Sequence, residues 1–201
     1  MFDEKAQLHT LEGVAAAVII LLVIIYAIDA TSMTPLTAST ASVHVETELR
    51  ALGQDILNTL DYAEPGHTSK LKNDILAWNG SVYTWSGSNY TVRIGTDNLN
   101  NNLTEIFRDT LVEQGIAHSV ELTFIDNSTL IPYTVNMIYN GDPSNNAVVV
   151  SRKFILQNIG PIDGEDRPEG DSIDTHNPIK DIDPSTNLYN IVDIRLILWR
   201  M

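Results

Sequence analysis

Residues Gly13–Ile28 read GVAAAVIILLVIIYAI, an unbroken run without a charge or a strongly polar side chain. With Leu11 and Glu12 in front it makes about 18 residues of helix, roughly 27 Å at 1.5 Å per residue, close to one hydrocarbon thickness. The run predicts a transmembrane helix over residues 7–30 that carries the rest of the chain as a separate body. Two other readings compete with it. A cleaved secretory signal needs a basic start, a shorter apolar run and a small-x-small exit, whereas this chain opens MFDEKAQ and leaves the run through Ala27-Ile28-Asp29-Ala30. A core helix that is apolar all round needs a larger protein around it than this one. Lys5 precedes the run and the next basic residue is Arg50, so the charge bias places the N-terminus in the cytoplasm and the body outside the cell membrane.

Composition narrows the partners. Twelve basic and twenty-six acidic residues give a net charge of -14, the wrong sign for nucleic acid. The acid is spread along the chain, as on proteins that work in concentrated salt, where screening over about 3 Å at 1 M removes most self-repulsion. There is no cysteine, so disulfides, thiolate metal sites and cysteine nucleophiles are excluded.

The apolar run is preceded by Lys5-Ala6-Gln7-Leu8-His9-Thr10-Leu11-Glu12-Gly13. A basic residue, a small residue, a short polar segment and one glutamate at the lip of a long apolar helix resemble the class III signal of archaeal type IV pilin-like proteins. QLHTLEGV, the downstream TPLTASTAS and the chain end ILWRM together resemble a haloarchaeal pilin-like membrane family of unassigned function. The likeness covers both ends of the chain and the spacing between them.

The resemblance implies that residues 1–6 form a leader removed by a prepilin-type peptidase after Ala6, leaving Gln7 as the new N-terminus. That bond makes Glu12 sixth in the mature chain; cleavage after Gln7 makes it fifth, the usual pilin position, but places glutamine where glycine or alanine belongs. In pilins this glutamate pairs with the free amine of a neighbouring subunit. The plainer role for Glu12 is in the first helical turn, stabilised by about 0.3–1 kcal/mol by the helix dipole. Gly13, Ala15, Ala16 and Ala17 are small enough for helices to approach closely.

Beyond the run, Pro35 lies in a stretch rich in small hydroxyl residues and predicts a kink or linker over 31–38. Val45, Leu49, Leu52, Ile56 and Leu60 step by three and four, predicting an amphipathic helix from Ser39 to Ala63 that Glu64-Pro65-Gly66 ends. Strand signals follow at Ser81–Trp85 and Tyr90–Ile94, around Ser86-Gly87-Ser88. Leu99, Leu103, Phe107 and Leu111 suit a second helix closed by Gly115. His118, Val120, Leu122 and Phe124 alternate with polar residues, as do Tyr133, Val135, Met137 and Tyr139. Further strands are predicted over Ala147–Gln157 and Tyr189–Arg200. The expected fold is α+β: a long N-terminal transmembrane and amphipathic helix, kinked near Pro35, packed on an antiparallel sheet in an extracellular head, 39–201.

Residues 158–187 hold four prolines and eight carboxylates without periodicity, and read as a solvated acidic loop or a weak Ca²⁺ site without EF-hand spacing. The five histidines, His9, His44, His67, His118 and His176, show no ligand spacing, and no phosphate loop or nucleophile elbow is present. No catalytic residue, metal site or cofactor is assigned, and an enzyme is not expected. Four N-x-S/T triplets, at Asn79, Asn89, Asn102 and Asn127, are candidate glycosylation sites on the outward part. Two functions follow. One is a pilin-like structural subunit or minor pilin, in membrane lipid or an extracellular filament, with like subunits and assembly machinery as partners. The other is a single-pass binding or sensory ectodomain that does not assemble.

Overall fold

The computed structural model describes residues 13–25, 40–162, 165–168, 174 and 176–200. The chain divides into two compact units, Met1–Val43 and His44–Met201. In the first, residues 13–25 form a helix, α1. α2 (Thr40–Asp61) follows, then α3 (Lys70–Leu76) and α4 (Asn102–Phe107), which runs on as a π-helical turn over Arg108–Val112. The strands are β1 (Tyr83–Trp85), β2 (Tyr90–Val92), β3 (Asn98–Leu99), β4 (Ile116–Ile125), β5 (Pro132–Ile138), β6 (Val148–Ile162), β7 (Glu165–Pro168) and β8 (Leu188–Arg200). They form one sheet in the order β3-β2-β1-β5-β4-β8-β6-β7.

Alternation in the long strands gives this sheet one apolar face. In β8, Val192, Ile194, Leu196 and Leu198 are fully buried. In the register these four oppose Phe124, Leu122, Val120 and His118 of β4 on one side and Phe154, Arg152, Val150 and Val148 of β6 on the other. Leu49, Ile56, Leu57 and Leu60 of α2 join the same core cluster, with Leu71, Ile75 and Leu76 of α3 and Leu103 and Phe107 of α4. Burial of each such side chain contributes about 1.5–3 kcal/mol. Gly53 lets α2 lie close to the sheet, because a Cβ there would stand 2.9 Å from a Val150 methyl and 3.1 Å from one of Leu198. At the rim, Arg152 spans from β6 to Asp61 and Asn58 of α2 at 2.7 and 3.1 Å.

The expected architecture needs correction in two respects. The sheet is mixed: β1 runs parallel to β5 at Tyr83↔Ile138, with the Tyr139 amide donating to the Tyr83 carbonyl at 2.8 Å. β1 and β5 are not consecutive, so the rule that short connections make antiparallel neighbours does not reach them. The transmembrane helix expected over 7–30 is not what the described residues show: they hold a helix over 13–25 alone. α1 as described has 13 residues, about 20 Å against a hydrocarbon core of about 30 Å. Among the described residues no helix is long and apolar enough to cross a membrane. The kink expected at Pro35 lies outside the described residues.

In the stretch 158–187, read as a solvated acidic loop or weak Ca²⁺ site, several described residues are paired or buried. β6 extends to Ile162, β7 pairs back on it, and Asn177 and Ile179 are buried. Asn177 donates to the carbonyls of Ile75 and Leu76 at 2.7 and 2.8 Å and accepts from the Ile179 amide at 2.7 Å, so it closes the end of α3. Asp181 and Asp183 are spent on their own turn, accepting from Asn158 and the Asp183 amide, and from Ser185. Replacing Asn177 leaves the buried Ile179 amide without a partner, at about 1–3 kcal/mol, while the Ile75 and Leu76 carbonyls each lose one bond and keep those from the Trp78 and Asp174 amides. N177A is expected to cost about 1–3 kcal/mol of stability, read as a lower urea midpoint at an unchanged m-value.

Candidate functional site

Two places carry features that a packed core alone does not require. The first is α1. Val18 to Ile25 are consecutive, and at 100° per residue eight positions cover every direction around the axis. All of them are exposed, from 53% at Val18 and Ile24 to 61% at Ile19. Gly13, Ala15, Ala16 and Ala17 fall on the same helix, and a Cβ at Gly13 would meet no other atom within 4 Å. A continuous exposed apolar surface of this kind marks an association site. Lys5, Ala6, Gln7 and Glu12, the expected processing and pairing residues, lie outside the described residues.

The second place is an aromatic cluster around His118. Phe107 of α4 stacks 4.9 Å from its ring, and Tyr90 of β2 stands at 5.7 Å, itself 5.1 Å from Trp85 of β1. The Tyr90 hydroxyl lies 2.6 Å from His118 Nε2, while Nδ1 faces the Ile116 carbonyl at 3.3 Å. With Nδ1 protonated toward the carbonyl, Nε2 accepts from Tyr90. Burial holds the imidazole neutral, pushing its pKa down to about 4 against the weaker opposing pull of the Ile116 carbonyl. Burial likewise raises the Tyr90 phenol far above its ordinary range. A cavity of about 360 Å³ opens beside the ring, bounded by Trp85, Ile116 and Asn140 among others. Burial thus holds both groups neutral at neutral pH, with the Tyr90 hydroxyl facing Nε2. The cluster's sequence signal was a histidine in the apolar phase of β4, level with Val120, Leu122 and Phe124.

Sequence reasoning also missed Asp74. This buried carboxylate of α3 accepts from the Leu103 amide at 2.7 Å and from Asn102 Nδ2 at 2.9 Å, closing the N-terminus of α4. Burial raises its pKa, and the two hydrogen bonds oppose that rise. Asn79 is similarly engaged: Nδ2 donates to Asp97 at 3.1 Å, and Oδ1 accepts from the Ser81 amide and the Tyr83 hydroxyl. That hydroxyl also reaches Asp97 at 2.9 Å, and burial followed by this contact pushes Tyr83 up to about 12. Of the four glycosylation candidates, Asn79 and Asn102 thus use their amide nitrogens within the fold, while Asn89 and Asn127 are exposed. Among the described residues, no three His, Asp or Glu side chains converge as metal ligands.

The unfolded histidine takes its proton near 6.5 and the folded one only near 4, so protonation favours the unfolded chain. Stability is therefore expected to be complete above about pH 6.5 and to fall toward pH 4, at up to about 1.4 kcal/mol per pH unit. Between pH 6.5 and 5, His118→Phe is expected to flatten this slope in urea titrations, and the His118 ring resonances of the parent protein should not move.

No solved structure matches the chain. A curated relative from Archaeoglobus fulgidus, described as an uncharacterized protein, is 28% identical over 198 residues, covering 98% of this chain and 94% of the relative. The pattern of the family of unknown function DUF7288 matches residues 5–198, and the chain belongs to that family.

Proposed function

We propose that this protein is a pilin-like surface subunit, a filament component or minor pilin, that associates with like subunits through the apolar helix α1. The observation that carries the reading is the exposure of large apolar side chains around the whole circumference of α1. One covered stripe would suit a helix lying on its own domain; an apolar surface in every direction suits a helix surrounded by lipid or by other helices. Gly13, Ala15, Ala16 and Ala17 make the start of α1 narrow enough for helix axes to approach closely there. The class III-like segment from Lys5 to Gly13 supports the same reading. A prepilin-type peptidase removes residues 1–6, the apolar segment partitions into lipid, and assembly machinery then transfers it into a bundle of its own kind. The acidic unit, His44–Met201, faces outward.

The absence of cysteine makes a direct test available. Val18→Cys in the full chain, oxidised in membranes isolated from its own cells, is expected to give disulfide-linked oligomers. Thr59→Cys, on the exposed side of α2, is expected to give none. Mass spectrometry of the same material should find the chain shortened by Met1–Ala6. Monomers alone at every cysteine placed in 13–25, together with an intact leader, overturn the reading and leave an anchored binding or sensory ectodomain in its place.

A further inference from the structure

We propose that Asn127 is a glycan acceptor and that the other three N-x-S/T asparagines are not, an inference that rests on the outward placement of His44–Met201. The bond in question forms at the side-chain nitrogen. Nδ2 attacks the anomeric carbon of a sugar activated on a lipid phosphate. The C1–Nδ2 bond forms as the C1–O bond to phosphate breaks, one Nδ2 proton passes to a base of the transferase, and the lipid phosphate leaves with the electron pair. An acceptor therefore needs a free Nδ2 and a tripeptide that an enzyme can reach.

The fold sorts the four sites by these two needs. Asn79 and Asn102 fail the first, because their Nδ2 groups donate to Asp97 and Asp74. Asn89 fails the second: its triplet runs into β2, where Tyr90 is only 2% exposed and Thr91 is paired with Thr84 on one side and Asn98 on the other. Drawing that tripeptide into a cleft unzips β2.

Asn127, Ser128 and Thr129 meet both needs. All three are exposed in the turn between β4 and β5. The turn is held by Asp126, whose Oδ2 accepts from Ser128 Oγ at 2.7 Å and from the Thr129 hydroxyl and amide at 2.7 and 3.0 Å. Its shape is therefore independent of the Asn127 side chain. The same tip carries Leu130, Ile131 and Tyr133 at 65%, 62% and 55% exposure, with Leu130 at φ +56°. A glycan on Asn127 lies over this patch and removes an exposed apolar surface from water.

The test is glycopeptide mass spectrometry on the full-length protein from its own cells, alongside labelling of intact cells with a membrane-impermeant amine reagent. Sugar mass is expected on the Asn127 peptide and absent from the Asn79, Asn89 and Asn102 peptides. N127Q and T129A should lose it, and T129S should keep it. A bare Asn127 in a protein labelled from outside overturns the inference while the outward placement stands. A bare Asn127 in a protein that resists external labelling overturns both. Sugar on Asn79 or Asn102 overturns the sorting by Nδ2 engagement.

Discussion

The second unit depends on the burial of one face of the β4-β8-β6 ladder. β8 lies between the other two, and its inward residues Val192, Ile194, Leu196 and Leu198 have almost no contact with water. β4, β8 and β6 pair antiparallel, and their opposite face is part polar, with a small second apolar cluster of Ala117, Ile197 and Trp199 at one end. On the opposite face Glu121 meets Arg195 at 2.9 Å and Thr123 bonds Thr134 at 2.8 Å. Such exposed pairs contribute about 0–1 kcal/mol each, so they arrange the surface rather than hold the fold.

Three helices cover the inner face, and each requires a local solution. α2 lies close over β6 and β8 because Gly53 has no Cβ. α3 is capped at its start by Ser69 and held at its end by Asn177, a residue about a hundred positions further on. α4 begins with the reciprocal Asn101–Thr104 cap and receives the Asp74 carboxylate from α3. Asn190 does for the β4–β8 end what Asn177 does for α3, donating to the carbonyls of Ile125 and Lys180 and accepting from the Ile125 and Ile191 amides. Buried amides with both ends satisfied fix where irregular chain meets regular structure, because any displacement leaves backbone groups unpaired.

These connections explain how an acidic, proline-rich stretch remains ordered where it is described. Its carboxylates at 181 and 183 accept hydrogen bonds from neighbouring amides and side chains, which holds Asp183 below the ordinary carboxylate range through its contacts with Ser185. The acidic composition is thus compatible with a compact unit: Asp181 and Asp183 are engaged in local turns, and the buried Asp74 accepts from Asn102 and the Leu103 amide. α1 presents the opposite case, an apolar surface on every side, and the proposed assembly is the response to that imbalance.

The sequence by itself determined the elements whose periodicity reports a buried face. The three- and four-residue steps of α2 and the alternation of β4 and β8 were readable because burial acts directly on side-chain spacing, whereas in β5 Tyr133 of the expected inward phase is exposed and Ile138 of the other is buried. α3 was not readable, since KLKNDIL is too short to show a period. The parallel β1–β5 contact was not, because strand orientation between non-consecutive elements depends on the path of the whole chain. For the candidate sites, the apolar run and four asparagine triplets were visible as letters. Which amides are already bonded, and that Tyr90 meets His118, were decided only by tertiary structure. Those contacts join residues tens of positions apart, and local spacing carries no information about them.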